Sequence, residues 1–208
     1  MACLNQPVDA VARDSANRNS PRLLIEAAIP EFAQHGYAGA RTDRIARRAG
    51  VNKQLLFYYF GSKAGLYRAV MDEAVTQLDR AARNVRNAPE HAAGRLREEL
   101  RSAFEALADA PDLARLLVRG AFDREEDAAA DLPTRNLANR LAQAVSDGQG
   151  LGHYRDDADP QSVARQAVVL LLGYFALEGS LMQNGPAEGR RAAWLNEVSS
   201  LLARSLSW

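Results

Sequence analysis

Three features of the chain predict an all-α fold. No stretch sustains the apolar–polar alternation of a half-buried strand, and β-branched residues are scarce. Ala, Leu, Arg and Glu, all good helix formers, dominate instead. Gly, Pro and capping residues fall between segments whose apolar residues recur every three to four positions.

Residues 1–19 have no apolar cluster and read as a disordered tail. Ser20-Pro21 then supplies a capping hydroxyl and a proline for a first helical turn. Leu24, Ala28 and Phe32, with Ile25 and Ile29, mark the buried face of this helix, which His35-Gly36 can close. Pro30 inside it should remove one hydrogen bond and bend the axis. Two short helices, about 42–49 and 53–60, flank the turn Gly50-Val51-Asn52. Gly61-Ser62 breaks the chain, and Ser62 can cap a long helix over 63–87 that Pro89 stops. Further helices are expected over about 91–109, 111–121, 131–147, 160–183 and 187–206. The glycines of Gly148-Gln149-Gly150-Leu151-Gly152 follow a helical pattern rather than a strand, so they read as a helix end and not a phosphate loop.

The formal net charge is zero, but residues 1–68 hold ten Arg or Lys against five Asp or Glu, and the remainder is acidic. A basic front end suits a polyanion-binding module, although five charges is also an ordinary surface fluctuation. Lys53 and Lys63 are the only lysines among 26 basic residues, and both lie in that front end. The single cysteine, Cys3, allows no intrachain disulfide or thiolate metal cluster. No apolar run is long enough for a membrane span, and no secretory signal is visible, so a cytoplasmic protein without membrane contact is expected.

Two short helices joined by a glycine turn form the unit that helix-turn-helix proteins set against the major groove. Ile45, Ala49, Val51, Leu56 and Phe60 fall on the inward face, and Ala46 is small enough for a close crossing. Lys53, Gln54 and Leu55 face outward at the start of the second helix, with Tyr58 and Tyr59 one turn later. Gln can pair with adenine, Lys with guanine, and Leu can touch a thymine methyl, while tyrosine hydroxyls hold phosphates. Either tyrosine could instead bury its ring, and Phe57, with no hydroxyl, reads as core. Arg44, Arg47 and Arg48 suit either phosphate contact or a solvated face.

The run from Arg22 to Leu66 resembles the N-terminal domain of tetracycline-repressor-like (TetR-family) regulators. The likeness rests on Phe32-Ala33…Gly36-Tyr37, Ile45-Ala46…Ala49-Gly50-Val51 and Tyr58-Tyr59-Phe60…Ser62-Lys63. It implies that Arg41 and Thr42 open the helix that approaches the DNA backbone. It further implies that Lys53, Gln54 and Leu55 face bases, and that Tyr58, Tyr59 and Lys63 grip phosphates. Gln54-Leu55 stands where the family often has Gly-Thr, and Arg41 where it often has a capping Ser or Thr. The implied organisation is a DNA-binding domain over 20–66 and an effector-binding and dimerisation domain over 67–208.

In the second domain, helix 160–183 is apolar almost all round, which predicts burial on every side. Trp194, Leu195, Val198, Leu201 and Leu202 form a broad stripe on the last helix. The family likeness implies that these two helices join subunits into a homodimer, with Leu171, Phe175, Trp194, Val198, Leu201 and Leu202 at the seam; an intrachain core is the alternative. It also implies a small-molecule effector pocket, for which Phe104, Arg119, Phe122, Tyr174 and Glu178 are the candidates, each equally suited to a core or surface role. His91 and His153 are isolated, no nucleophile–base constellation occurs, and no cofactor or metal is called for. The expectation is a non-enzymatic, ligand-responsive repressor on a near-palindromic operator in double-stranded DNA. A helical architectural or interaction protein with sequence-nonspecific DNA binding stays open beside it.

Overall fold

The structure, a computed structural model, describes the backbone of residues 8–86, 92–120, 133–181 and 187–207, and the side chains within 19–82, 94–120, 134–178 and 189–207. Every regular element among the described residues is a helix: α1 (Val8–Gly39), α2 (Thr42–Ala49), α3 (Lys53–Phe60), α4 (Lys63–Arg86), α5 (Ala92–Asp109), α6 (Pro111–Gly120), α7 (Pro133–Gly150), α8 (Pro160–Leu181) and α9 (Ala187–Leu206).

The first helix departs from expectation at both ends. It begins at Val8, so most of the segment read as a tail has helical backbone, and Ser20-Pro21 lies inside α1 rather than starting it. The axis passes Pro30 with helical torsions. The break comes at Gly36, whose φ of 67° and ψ of 178° lie outside the helical region. A proline costs one ladder bond, whereas a left-handed φ turns the chain, and here only the glycine does so.

α1 packs on α2 and α4 on one side and on α6 on the other, so it touches both ends of the molecule. Phe32, Tyr37 and Tyr67 fill the joint between α1 and α4, with Tyr67 edge-on to Phe32 at 4.9 Å and to Tyr37 at 5.2 Å between ring centroids. The body is built on α4, α5, α7 and α8, with α7 and α8 packed side by side. Leu100, Leu107, Leu141, Val145 and Ala167 bury completely there, continuous with the core of the front end. A charged staple crosses this layer. Arg140 on α7 bonds Asp79 on α4 and Glu99 on α5, and Glu99 is almost wholly buried. A buried carboxylate of this kind is tolerable only with such a partner.

The glycine trio ends α7. Gly148 lies against the Tyr154 ring so closely that a Cβ would sit 2.3 Å from it, and Gly152 turns the chain at a φ of 72°. α8 is not buried on every side. Val163, Ala164, Ala167, Val168, Leu171 and Tyr174 face the core, while Val169, Leu170 and Leu177 stand in solvent.

Candidate nucleic-acid interface and the cleft behind it

α2 and α3 meet through Gly50, which closes α2 at a φ of 68°, donating its N–H to the last-turn carbonyls of Ala46 and Arg47. Only a residue free of Cβ crowding takes that conformation without strain. Asn52 then starts α3 by accepting the Gln54 N–H on Oδ1 at 2.9 Å. Ile45 and Leu56 are buried between the two helices, with Ala49, Val51 and Phe60 half-buried around them.

Arg41 precedes α2 with no side-chain cap of its own. That task falls to Glu31 on α1, whose Oε1 accepts the Arg41 backbone N–H at 2.9 Å and the Arg44 Nε at 2.8 Å. Burial works to raise the Glu31 pKa, but the bonds from Arg44 and the Arg41 amide outweigh it and hold the carboxyl below its ordinary range. Arg44 is therefore a structural cation and not part of a solvated face. Sequence reasoning missed Glu31 because it lies ten residues before Arg41, across the Gly36 break.

The expected DNA-facing residues differ in exposure. Gln54 and Arg41 are exposed, while Thr42 and Leu55 are half-buried. Tyr58 is 79% exposed, whereas Tyr59 is half-buried with its ring edge-on to Tyr58 at 5.1 Å. Lys53 forms an ion pair with Asp43 of α2 at 2.6 Å, and hydrogen bonding to Lys53 lowers the Asp43 pKa. Lys63 donates to the Ala38 carbonyl at 3.1 Å and lies 4.8 Å from the centre of the Tyr37 ring, so its ammonium fastens α4 to the end of α1. Phe57 is a correction: read as core, it is 43% exposed beside Lys53. The outer face of α3 continues past its first turn, which places Phe57 with Lys53 and Gln54.

The effector candidates divide. Phe104 and Tyr174 are core, in a ring cluster with Phe175 and Trp194 whose centroids lie 4.9–5.2 Å apart. The Tyr174 hydroxyl donates to Glu178 at 3.3 Å; burial first, then the Glu178 charge, raises its pKa. Arg119 and Glu178 do line a cavity, a cleft of about 1080 Å³ walled by α1, α2, α6, α8 and α9. Phe122 lies outside the described residues.

The expected dimer residues divide too. Leu171, Val198 and Leu202 are buried in the chain's own core, and Phe175 and Trp194 are half-buried in the ring cluster. Leu201 alone of the six is well exposed, at 52%. The large apolar side chains that α8 and α9 leave exposed are instead Val169, Leu170 and Leu177 of the one and Leu201 of the other. Hydrophobicity is legible in sequence, but the side of a nearly all-apolar helix that its own chain covers is not.

A capped α2–turn–α3 unit with a polar outer face, mounted on an all-helical body, defines a helix-turn-helix regulator. The family described as "Bacterial regulatory proteins, tetR family" matches residues 24–70. The HTH-type transcriptional repressor SCO4008 of Streptomyces coelicolor is 37% identical over 138 residues, 64% of this chain and 66% of that protein. The HTH-type transcriptional repressor NicS of Pseudomonas putida is 25% identical over 94% of this chain and 96% of its own length. A structure solved for the molecular basis of antibiotic-production control by bacterial hormones superposes with a TM-score of 0.73, at 26% identity, covering 90% of this chain and 97% of that one. The chain belongs to the TetR family of bacterial transcriptional regulators, and these relatives are regulators rather than enzymes. Among the described residues no helix is long and apolar enough to cross a membrane.

Proposed function

We propose that the chain is a ligand-responsive repressor that occupies a near-palindromic operator as a homodimer in the cytoplasm. The observation that carries this reading is the outer face of α3. Gln54 is exposed and not drawn into the core, at the capped N-terminus of a helix held by α1, α2 and α4. Lys53 and Tyr58 flank it, so a base-reading amide and ammonium sit beside a hydroxyl suited to phosphate. The names of the two repressors above favour repression over activation. The hormone named for the superposed structure supports a ligand-responsive reading of this body.

The exposed apolar side chains of α8 and α9 support a second copy of the chain as partner. Four large apolar side chains on neighbouring helices cost free energy in water and gain it in a symmetric contact. Two heads related by that symmetry read two inverted half-sites.

Binding-site selection with the purified full-length protein at fixed, moderate salt tests the proposal. Two inverted half-sites about 10 bp or a multiple apart are expected, bound on the order of 10³-fold or more tighter than random DNA. Uniform affinity for all sequences would sink it and leave the nonspecific architectural reading.

A further inference from the structure

The cleft behind the head is lined by four arginines and two acids, and its walls belong to both halves of the molecule. α1 supplies Pro30, Ala33 and Gln34, α2 supplies Arg48, and α6 supplies Asp112, Arg115, Val118 and Arg119. Phe175, Ala176 and Glu178 of α8 and Arg190 of α9 close it. Both of its acids are already committed. Asp112 is paired with Arg115 at 3.0 Å, and Glu178 lies 3.6 Å from Arg191 while accepting the Tyr174 hydroxyl. Arg48 and Arg119 have no carboxylate partner among the described residues, and an Arg119 amine lies 3.3 Å from where a Gly36 Cβ would project. One of these two arginines thus rides on the helix-turn-helix and the other on the body, beside the break in α1. Next to them, Val118, Ala33, Phe175 and Ala176 offer an apolar wall.

We propose that this cleft binds a small amphipathic organic anion, its carboxylate or phosphate held between Arg48 and Arg119 and its apolar body laid on Val118 and Phe175. A guanidinium matches either oxyanion with two parallel N–H donors, and a partly enclosed site strengthens that bond over its value in open water. The bound anion bridges α2 to α6, so it holds the head in one orientation to the body. An occupant that binds one head orientation better than another changes operator affinity by the ratio of those two affinities. This coupling rests on the repressor reading given above; the binding site itself does not.

The experiment uses the full-length protein with four probes: octanoate, octyl phosphate, octanol and inorganic phosphate. Calorimetric titration and thermal melting read the site, and operator titration with and without probe reads the coupling. Octanoate or octyl phosphate should bind and raise the melting temperature, and the tighter of the two identifies carboxylate or phosphate as the head group. Octanol should bind at least tenfold more weakly, and inorganic phosphate should bind weakly for want of an apolar body. Arg48→Gln and Arg119→Gln should each weaken the preferred anion about tenfold. Ala176→Trp, which fills the cleft and leaves its charge in place, should abolish binding. The preferred anion should also shift operator affinity in wild type and lose that effect in Arg119→Gln. Equal binding of octanol and octanoate, or wild-type anion affinity in all three variants, overturns the proposal. So does an Arg48→Gln protein with intact anion affinity and a flatter salt dependence of operator binding, because Arg48 would then be serving DNA phosphate. If the protein selects no operator at all, the repressor reading fails while the melting and calorimetric results still decide the anion site.

Discussion

Gln54 and Glu31 sit on opposite sides of the same small helix pair, and each has a measurable consequence. Gln54 is exposed at the capped start of α3. Gln54→Ala should relax base preference at one position of each half-site, at roughly 1–3 kcal/mol per contact. A selection experiment on the variant reads this directly, and an unchanged motif would remove Gln54 from the reading set. Glu31 is buried and positions α2 by accepting from Arg41 and Arg44. Its carboxyl titrates below the ordinary range, so the stabilisation is complete above the unfolded pKa of about 4.3 and is lost as pH falls through the depressed folded value. Glu31→Ala should cost roughly 1–3 kcal/mol at neutral pH and flatten the acid limb of a stability–pH curve. Equal acid sensitivity in both proteins would show that other carboxylates set that limb. The exposed position of Gln54 was legible in the sequence because it follows from the Gly50 turn, the Asn52 cap and a period of 3.6. Glu31 was not, because its partners lie ten and thirteen residues on, beyond the Gly36 break, and sequence does not show which way the chain turns there.

At the scale of helices, α2 and α3 match their sequence-derived bounds and α1 does not. The short helices are delimited by glycine and a capping asparagine, which act locally. The start of α1 has no such mark, since Ser20-Pro21 imitates a helix start inside a longer helix. The turn from α3 to α4 depends on a close approach that sequence shows only as one more glycine. A Cβ at Gly65 would lie 2.0 Å from the Phe60 carbonyl oxygen, a backbone atom that cannot swing away. Gly65→Ala should therefore tilt α3 against α4, despite alanine's better helix propensity. A melting temperature several degrees lower and an operator affinity reduced more than the folded fraction explains are expected. A variant as stable as wild type would show that the turn relaxes freely.

At the scale of the whole molecule, the proposed dimer ties operator affinity to the exposed side chains of α8 and α9. Leu170→Glu with Leu201→Glu places charges at exposed apolar positions of α8 and α9 without touching Leu171, Val198 or Leu202, which the chain's own core requires. Sedimentation should show a folded monomer, and operator affinity should fall by about two decades, since a second head at high effective concentration is lost. An unaltered dimer with full affinity would place the interface elsewhere. The helical class, the reading head and an apolar C-terminal pair were all apparent from composition and period. The cleft was not, because Arg48 and Arg119 come together only after α1 is laid along α6.

That arrangement of α1 also bears on modularity. The helix packs against α2 and α4 in the head and against α6 in the body, and α4 itself continues through residue 66 without a break. The chain thus has no point at which the head can be lifted off as a self-contained cassette. Exchanging residues 20–66 for those of a relative would set a foreign α1 on the native α6 and splice two α4 sequences in mid-helix. On the proposed reading, substitutions on the outer face of α3 change operator preference while leaving the α1–α6 seam and α4 intact, which transplantation does not.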